Sequence, residues 1–156
     1  RAAFTGHQTF STLHATDAFN CLTRLLDLGM SLQFLAQGLT GLISQRLVRK
    51  LCQHCRKKGP APDKYKGMFR SEVYYPVGCE FCRDGYHGRT VAAEVLEITP
   101  EIRDKMVLGG LADVKTVVET MKKNKEFYTL QQDALRLIED GITSIAEIER
   151  VVGIEL

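Results

Sequence analysis

Four of the five cysteines fall in two C-x-x-C pairs, Cys52 with Cys55 and Cys79 with Cys82, separated by 23 residues. Each such turn aims two sulfurs at one point. Two of them supply a tetrahedral thiolate cage, which zinc favours at about 2.3 Å per bond, and four protein ligands leave no open position, so the metal would be structural. Four thiolates and one Zn²⁺ carry a net charge of about −2. Arg56, Lys57, Lys58, Lys64, Lys66, Arg70 and Arg83 offset it and favour the thiolate form. The loop has little apolar material with which to fold, and metal binding would supply that folding energy. Disulfides, a redox-active C-x-x-C and an iron site compete for the same thiols. Nothing marks the chain as secreted, and a redox motif needs only one pair. His54 and His87 are near enough to be alternative ligands but read as surface residues. Cys21 lies on a helical apolar face and reads as a buried structural thiol.

A second group capable of chemistry opens the chain. His7 and His14 flank "HQTFSTLH", whose β-branched and aromatic content predicts a short strand. Histidines near a strand end often face a phosphate or a metal. None of the 13 glycines begins a G-x-x-x-x-G-K-S/T phosphate loop. Satisfied structural histidines are the alternative.

These residues need elements to hold them. The 156 residues suffice for one domain or a domain with a small lobe, and 44% hydrophobic and 26% charged residues are ordinary for a globular protein. The net charge of +2 does not itself call for nucleic acid. No apolar run approaches the roughly 18 residues that span a bilayer. Residues 46–58 hold six basic side chains and no acid, whereas residues 90–156 hold 13 acids against eight Lys and Arg. The basic run is either a solvated face or a partner surface.

Thr16 or Asp17 offers a cap for a helix with Ala18, Phe19, Leu22, Leu25 and Leu26 on one face, stopped by Gly29. Ser31 can cap a second helix through Leu32, Leu35, Leu39, Leu42 and Ile43, with Gly38 and Gly41 inside it. "RTVAAEVLEI" predicts a strand buried on both faces. Helices follow from "TPEIRDKMVLGG" onward, with a capping box at Ser144 and Glu147.

"TGHQTFSTLHATDA" is similar to the histidine box of the secretion ATPases that drive type II secretion and type IV pilus assembly. "RLLDLGM", "LISQRLVRKLCQHC", "GYHGRTVAAEVLEIT" and "DALRLIEDGITSIAEIERVVG" continue the resemblance over essentially the whole chain. The paired cysteines resemble the tetracysteine motif of the assembly and secretion branch. The resemblance implies an α/β fold: the C-terminal part of a RecA-like domain with a tetracysteine zinc-binding insertion and a helical C-terminal region. Residues 1–51 would belong to the ATPase core, 52–88 to the zinc lobe, and 89–156 to a strand and the closing helices. The chain begins with Arg1, and the phosphate loop and acidic magnesium motif are expected upstream of it. The resemblance further implies ATP and Mg²⁺ as cofactors of the full-length protein, a hexameric ring and an inner-membrane platform protein as partner. It also implies a cytoplasmic location, peripheral at the inner membrane, and no role for nucleic acid. It makes His14 a candidate for catalysis or phosphate sensing. His7, beside Gly6, is a candidate of the same kind or a structural hydrogen-bonding residue. Arg24, Arg46 and Arg89 also fall on family motif positions, without an assigned role. A non-enzymatic zinc-binding interaction module is the competing reading.

Overall fold

The computed structural model describes residues 6–69 and 72–154. They form six helices and four strands in the order α1 (Ala18–Asp27), α2 (Leu32–Gly38), β1 (Gly41–Leu51), β2 (Lys57–Gly59), β3 (Val73–Tyr75), β4 (Tyr86–Glu97), α3 (Pro100–Leu108), α4 (Leu111–Lys123), α5 (Leu130–Glu139) and α6 (Ile145–Val151). Strands β1 and β4 pair with each other, and β2 pairs antiparallel with β3, Lys58 opposite Tyr74. The bonds from Ile98 N–H to Thr40 O and from Cys52 N–H to Gly85 O, at opposite ends of the β1–β4 ribbon, make that pair antiparallel too. No helix among the described residues is long and apolar enough to cross a membrane.

The chain divides into two compact units, and β1 and β4 contribute to both. One unit comprises Arg1–Ser44 and Glu94–Thr129. Its core gathers Ala18, Cys21 and Leu22 of α1, Leu35 of α2, Leu96 of β4, Ile102 and Met106 of α3, and Val114 and Val118 of α4. Spacings of three and four residues put these side chains on one face of each helix. Burying each of the larger ones stabilises the unit by about 1.5–3 kcal/mol. Cys21 is buried in this core, as its place on the apolar face of α1 predicts.

The other unit comprises Gln45–Ala93 and Leu130–Leu156. Val48, Tyr65, Val73, Ala92, Leu137, Ile138, Ile145 and Ile148 form its core. Each strand of its part of the ribbon has an N–H bonded to the helical region. Leu51 N–H donates to Ile142 O at 2.8 Å, and Ala93 N–H donates to Asp133 Oδ2 at 2.9 Å.

Four expectations from the sequence need correction. Residues 7–15 form no strand. A strand exists only where its backbone groups find a ladder, and residues 6–14 are exposed. The second helix stops at Gly38: Leu39 is extended, at ψ 127°, and the guanidinium of Arg103 donates to the carbonyls of Ala36 and Leu39 at the helix end. Gly41 therefore opens β1 instead of lying inside a helix. Strand β4 is not buried on both faces: Ala92, Glu94 and Leu96 point inward, whereas Val91 and Val95 are exposed. Finally, the capping box at α6 is only half formed. Ser144 Oγ accepts Glu147 N–H at 3.2 Å, but the Glu147 carboxylate is bound by two arginines.

Candidate functional site

The end of β1 carries the first cysteine pair and the approach to β4 carries the second. Between Arg83 and Tyr86, which bridge to each other, Asp84 and Gly85 both have positive φ (53° and 82°). That is the two-residue hairpin turn that the Asp-Gly pair favours. Gly85 is required twice over, because a Cβ there would lie 2.5 Å from Pro76 Cβ and 2.8 Å from Val77 N. Cys52 N–H donates to Gly85 O at 2.8 Å, so the first pair is fastened directly to the turn that follows the second. Gly59, which follows the first pair, relieves no turn. It lies in β2, packed toward Tyr75, and has no positive φ.

This scaffold brings the four sulfurs within 4.8 Å of one another. The separations are 3.8 Å for Cys52–Cys79 and 3.7 Å for both Cys55–Cys82 and Cys79–Cys82. A tetrahedron with bonds of about 2.3 Å has edges of about 3.8 Å, so the donor set fits a thiophilic tetrahedral cation such as zinc. Backbone N–H groups of Gly78 and Cys79 donate to the sulfurs of Cys55 and Cys82, both at 3.3 Å. They stabilise thiolate charge and fix the ligand rotamers. Thiols this close cannot all ionise by themselves. The Phe81 backbone N–H favours the Cys79 thiolate, but burial and the other three thiols outweigh it and push that thiol up to about 12. Cys82 moves the other way. Burial opposes its ionisation, and hydrogen bonds from Cys79 and Cys55 overcome that. A cation held by Cys52, Cys55, Cys79 and Cys82 would resolve this competition by stabilising every thiolate at once.

No histidine joins the cluster among the described residues. His54 packs against Phe81, ring centroids 4.9 Å apart, and lies between Cys52 and Cys55 in sequence without joining the cluster. His87 is exposed. His7 and His14 lie in the exposed irregular segment ahead of α1. Asp17 caps that helix, accepting Asn20 N–H at 2.7 Å.

Sequence reasoning missed the polar group built on Glu147. Glu147, with a fully buried side chain, accepts from Arg49 N at 3.0 Å, Arg49 Nη2 at 2.7 Å and Arg150 Nη2 at 2.7 Å. The Arg49 guanidinium also lies over the Tyr86 ring, 4.1 Å from its centroid, and Tyr86 OH shares a 2.6 Å bond with Ser144. This network ties α6 to β1 and to the first residue of β4. Burial disfavours the Glu147 carboxylate, but the hydrogen bonds from Arg150 and Arg49 hold its pKa down to about 2. The available signal was the placement of a glutamate three residues after the helix cap, and a capping box accounts for that equally well.

The type II/IV secretion system protein family matches residues 1–150. The chain is 35% identical to the type IV pilus assembly ATPase PilB of Acinetobacter baylyi, over 98% of this chain and 28% of that protein. It is 37% identical to the protein transport protein HofB homolog of Escherichia coli, over 98% of this chain and 33% of the other. It is 36% identical to the type II secretion system protein HxcR of Pseudomonas aeruginosa, over 97% of this chain and 29% of the other. The chain thus spans about a third or less of the length of these curated relatives. A family match over nearly every residue, with helices, strands and four converging cysteines beneath it, places the chain in the type II/IV secretion system protein family.

Proposed function

We propose that this chain is the C-terminal part of a cytoplasmic ATPase that powers type II secretion or type IV pilus assembly, completing a RecA-like domain and carrying its zinc lobe. The observation behind this reading is the family match across residues 1–150, together with relatives whose names specify pilus assembly ATPases. In the full-length protein ATP and Mg²⁺ would be bound largely by residues outside this sequence, which has no phosphate loop. The hexameric ring and the inner-membrane platform protein belong to the same proposal.

Within this chain the roles divide. Cys52, Cys55, Cys79 and Cys82 would hold a structural zinc, which would add folding energy to a segment that also packs Tyr65 and Val73 into the core of its unit. His14 would donate a hydrogen bond to the terminal phosphate or orient the attacking water, and α1 would carry the consequence of hydrolysis away from the site. His7 would support the same segment. The zinc takes no part in the chemistry, because four thiolates close its coordination shell.

Metal analysis of the purified chain and ATPase assay of the full-length protein test the two halves of the proposal. One zinc per chain and magnesium-dependent hydrolysis are the expected results. Zinc without hydrolysis would leave a non-enzymatic interaction module. Micromolar ATP binding by this chain alone, measured by calorimetry, would contradict the division of the nucleotide site.

A further inference from the structure

Glu94 is a carboxylate on the inward face of an apolar strand, between Ala92 and Leu96, and is only 5% exposed. Burying a carboxylate is unfavourable unless it is well bonded. Its Oε1 accepts Ala18 N–H, the first amide of α1, at 2.7 Å. Asp17, the N-cap, accepts Asn20 N–H, so Glu94 satisfies a further orphan amide of the same helix start. On the paired strand Ser44, also 5% exposed, donates its hydroxyl to Thr16 O at 3.3 Å. Asn20 Nδ2 braces the same turn, reaching Thr16 Oγ1 at 2.8 Å and Asp17 Oδ2 at 2.6 Å. The three residues Thr16–Ala18 are therefore fastened at both ends by buried polar groups from two hydrogen-bonded strands.

His14 stands two residues ahead of this anchor, in a segment with no strand ladder of its own. The anchor fixes the backbone two residues beyond His14. We infer that Glu94, assisted by Ser44, is a positioning residue for His14: it sets the entry of α1, and with it the register and direction of the preceding histidine segment. This rests on the reading of His14 as the phosphate-facing residue. Glu94 itself, sealed in the core, does not touch the nucleotide.

The test uses the full-length ATPase with Glu94→Leu, Glu94→Gln, His14→Ala and the double variant His14→Ala/Glu94→Leu. Glu94→Gln keeps the acceptor and is expected to retain turnover within about threefold of wild type. Glu94→Leu is expected to lower kcat about tenfold or more, with KM for ATP and zinc content nearly unchanged. The double variant should be no slower than His14→Ala alone, because a positioning group has nothing left to position. Within the present chain, Glu94→Leu should shift and broaden the His14 imidazole resonances and leave those of His54 and His87 in place. Wild-type turnover in Glu94→Leu beside an impaired His14→Ala would overturn the positioning role alone, as would multiplicative losses in the double variant. Wild-type turnover in His14→Ala would overturn the functional reading and this inference with it.

Discussion

The backbone N–H of Cys52 donates to the carbonyl of Gly85 at 2.8 Å, joining the end of β1 to the turn from which β4 starts. Through that bond the two cysteine pairs, far apart in sequence, share one rigid frame. The backbone thus helps to set the geometry of the four sulfurs.

Gly85→Ala should disrupt this frame. The residue sits at φ 82°, and the added Cβ would meet Pro76 Cβ at 2.5 Å. Backbone strain of this kind costs about 1–3 kcal/mol, and the steric overlap adds to it. A lower denaturation midpoint and weaker zinc retention against a chelator are expected. Wild-type values for both would contradict the assigned role of the turn.

Removing the metal should act locally. Chelation, or Cys79→Ser, is expected to release amide protection around the two cysteine turns, because a bound metal would crosslink them, while Tyr65 and Val73 remain held by the core. Amides of α1, α3 and α4, packed in the other unit's core, should keep their protection in hydrogen-exchange measurements. Loss of protection in both units together would show that the metal supports the whole chain.

Glu147 gives a prediction with a defined sign. Its folded pKa, about 2, lies below the ordinary carboxylate value of 4.5. The stabilisation it contributes is complete above about pH 4.5 and is lost as the pH falls toward about 2. A depression of this size corresponds to about 3 kcal/mol. Glu147→Gln, which leaves Arg49 and Arg150 facing a neutral group, should therefore be less stable near pH 7. The gap to wild type should narrow on acidification below about pH 4.5. Denaturant titrations across that range measure it, and a gap independent of pH would remove the carboxylate charge from the account.

What could be read from the sequence depended on how local its cause was. The cysteine spacing announces a four-sulfur cluster because each C-x-x-C turn is self-contained. Thr99 and Pro100 announce the start of α3 for the same reason, and Thr99 Oγ1 accepts Ile102 N–H at 3.3 Å. The failures involve partners distant in sequence. Leu39, Leu42 and Ile43 fit a helical period until Arg103, 64 residues beyond Leu39, caps α2 and frees Gly41 to begin a strand. "HQTFSTLH" has a strand's composition, but composition supplies no ladder. Glu94 and Glu147 look like polar interruptions in the sequence. Their meaning lies in Ala18, 76 residues away, and in Arg49, 98 residues away.

The proposal for this chain stands or falls on His14, the residue through which it would meet a nucleotide. The decisive measurement is the steady-state ATPase rate of full-length His14→Ala, with zinc content determined on the same sample. The expected result is turnover lowered by at least about a hundredfold, the range of a lost general acid–base or orienting group, with one zinc still bound. Wild-type turnover in that variant, zinc intact, would contradict the account.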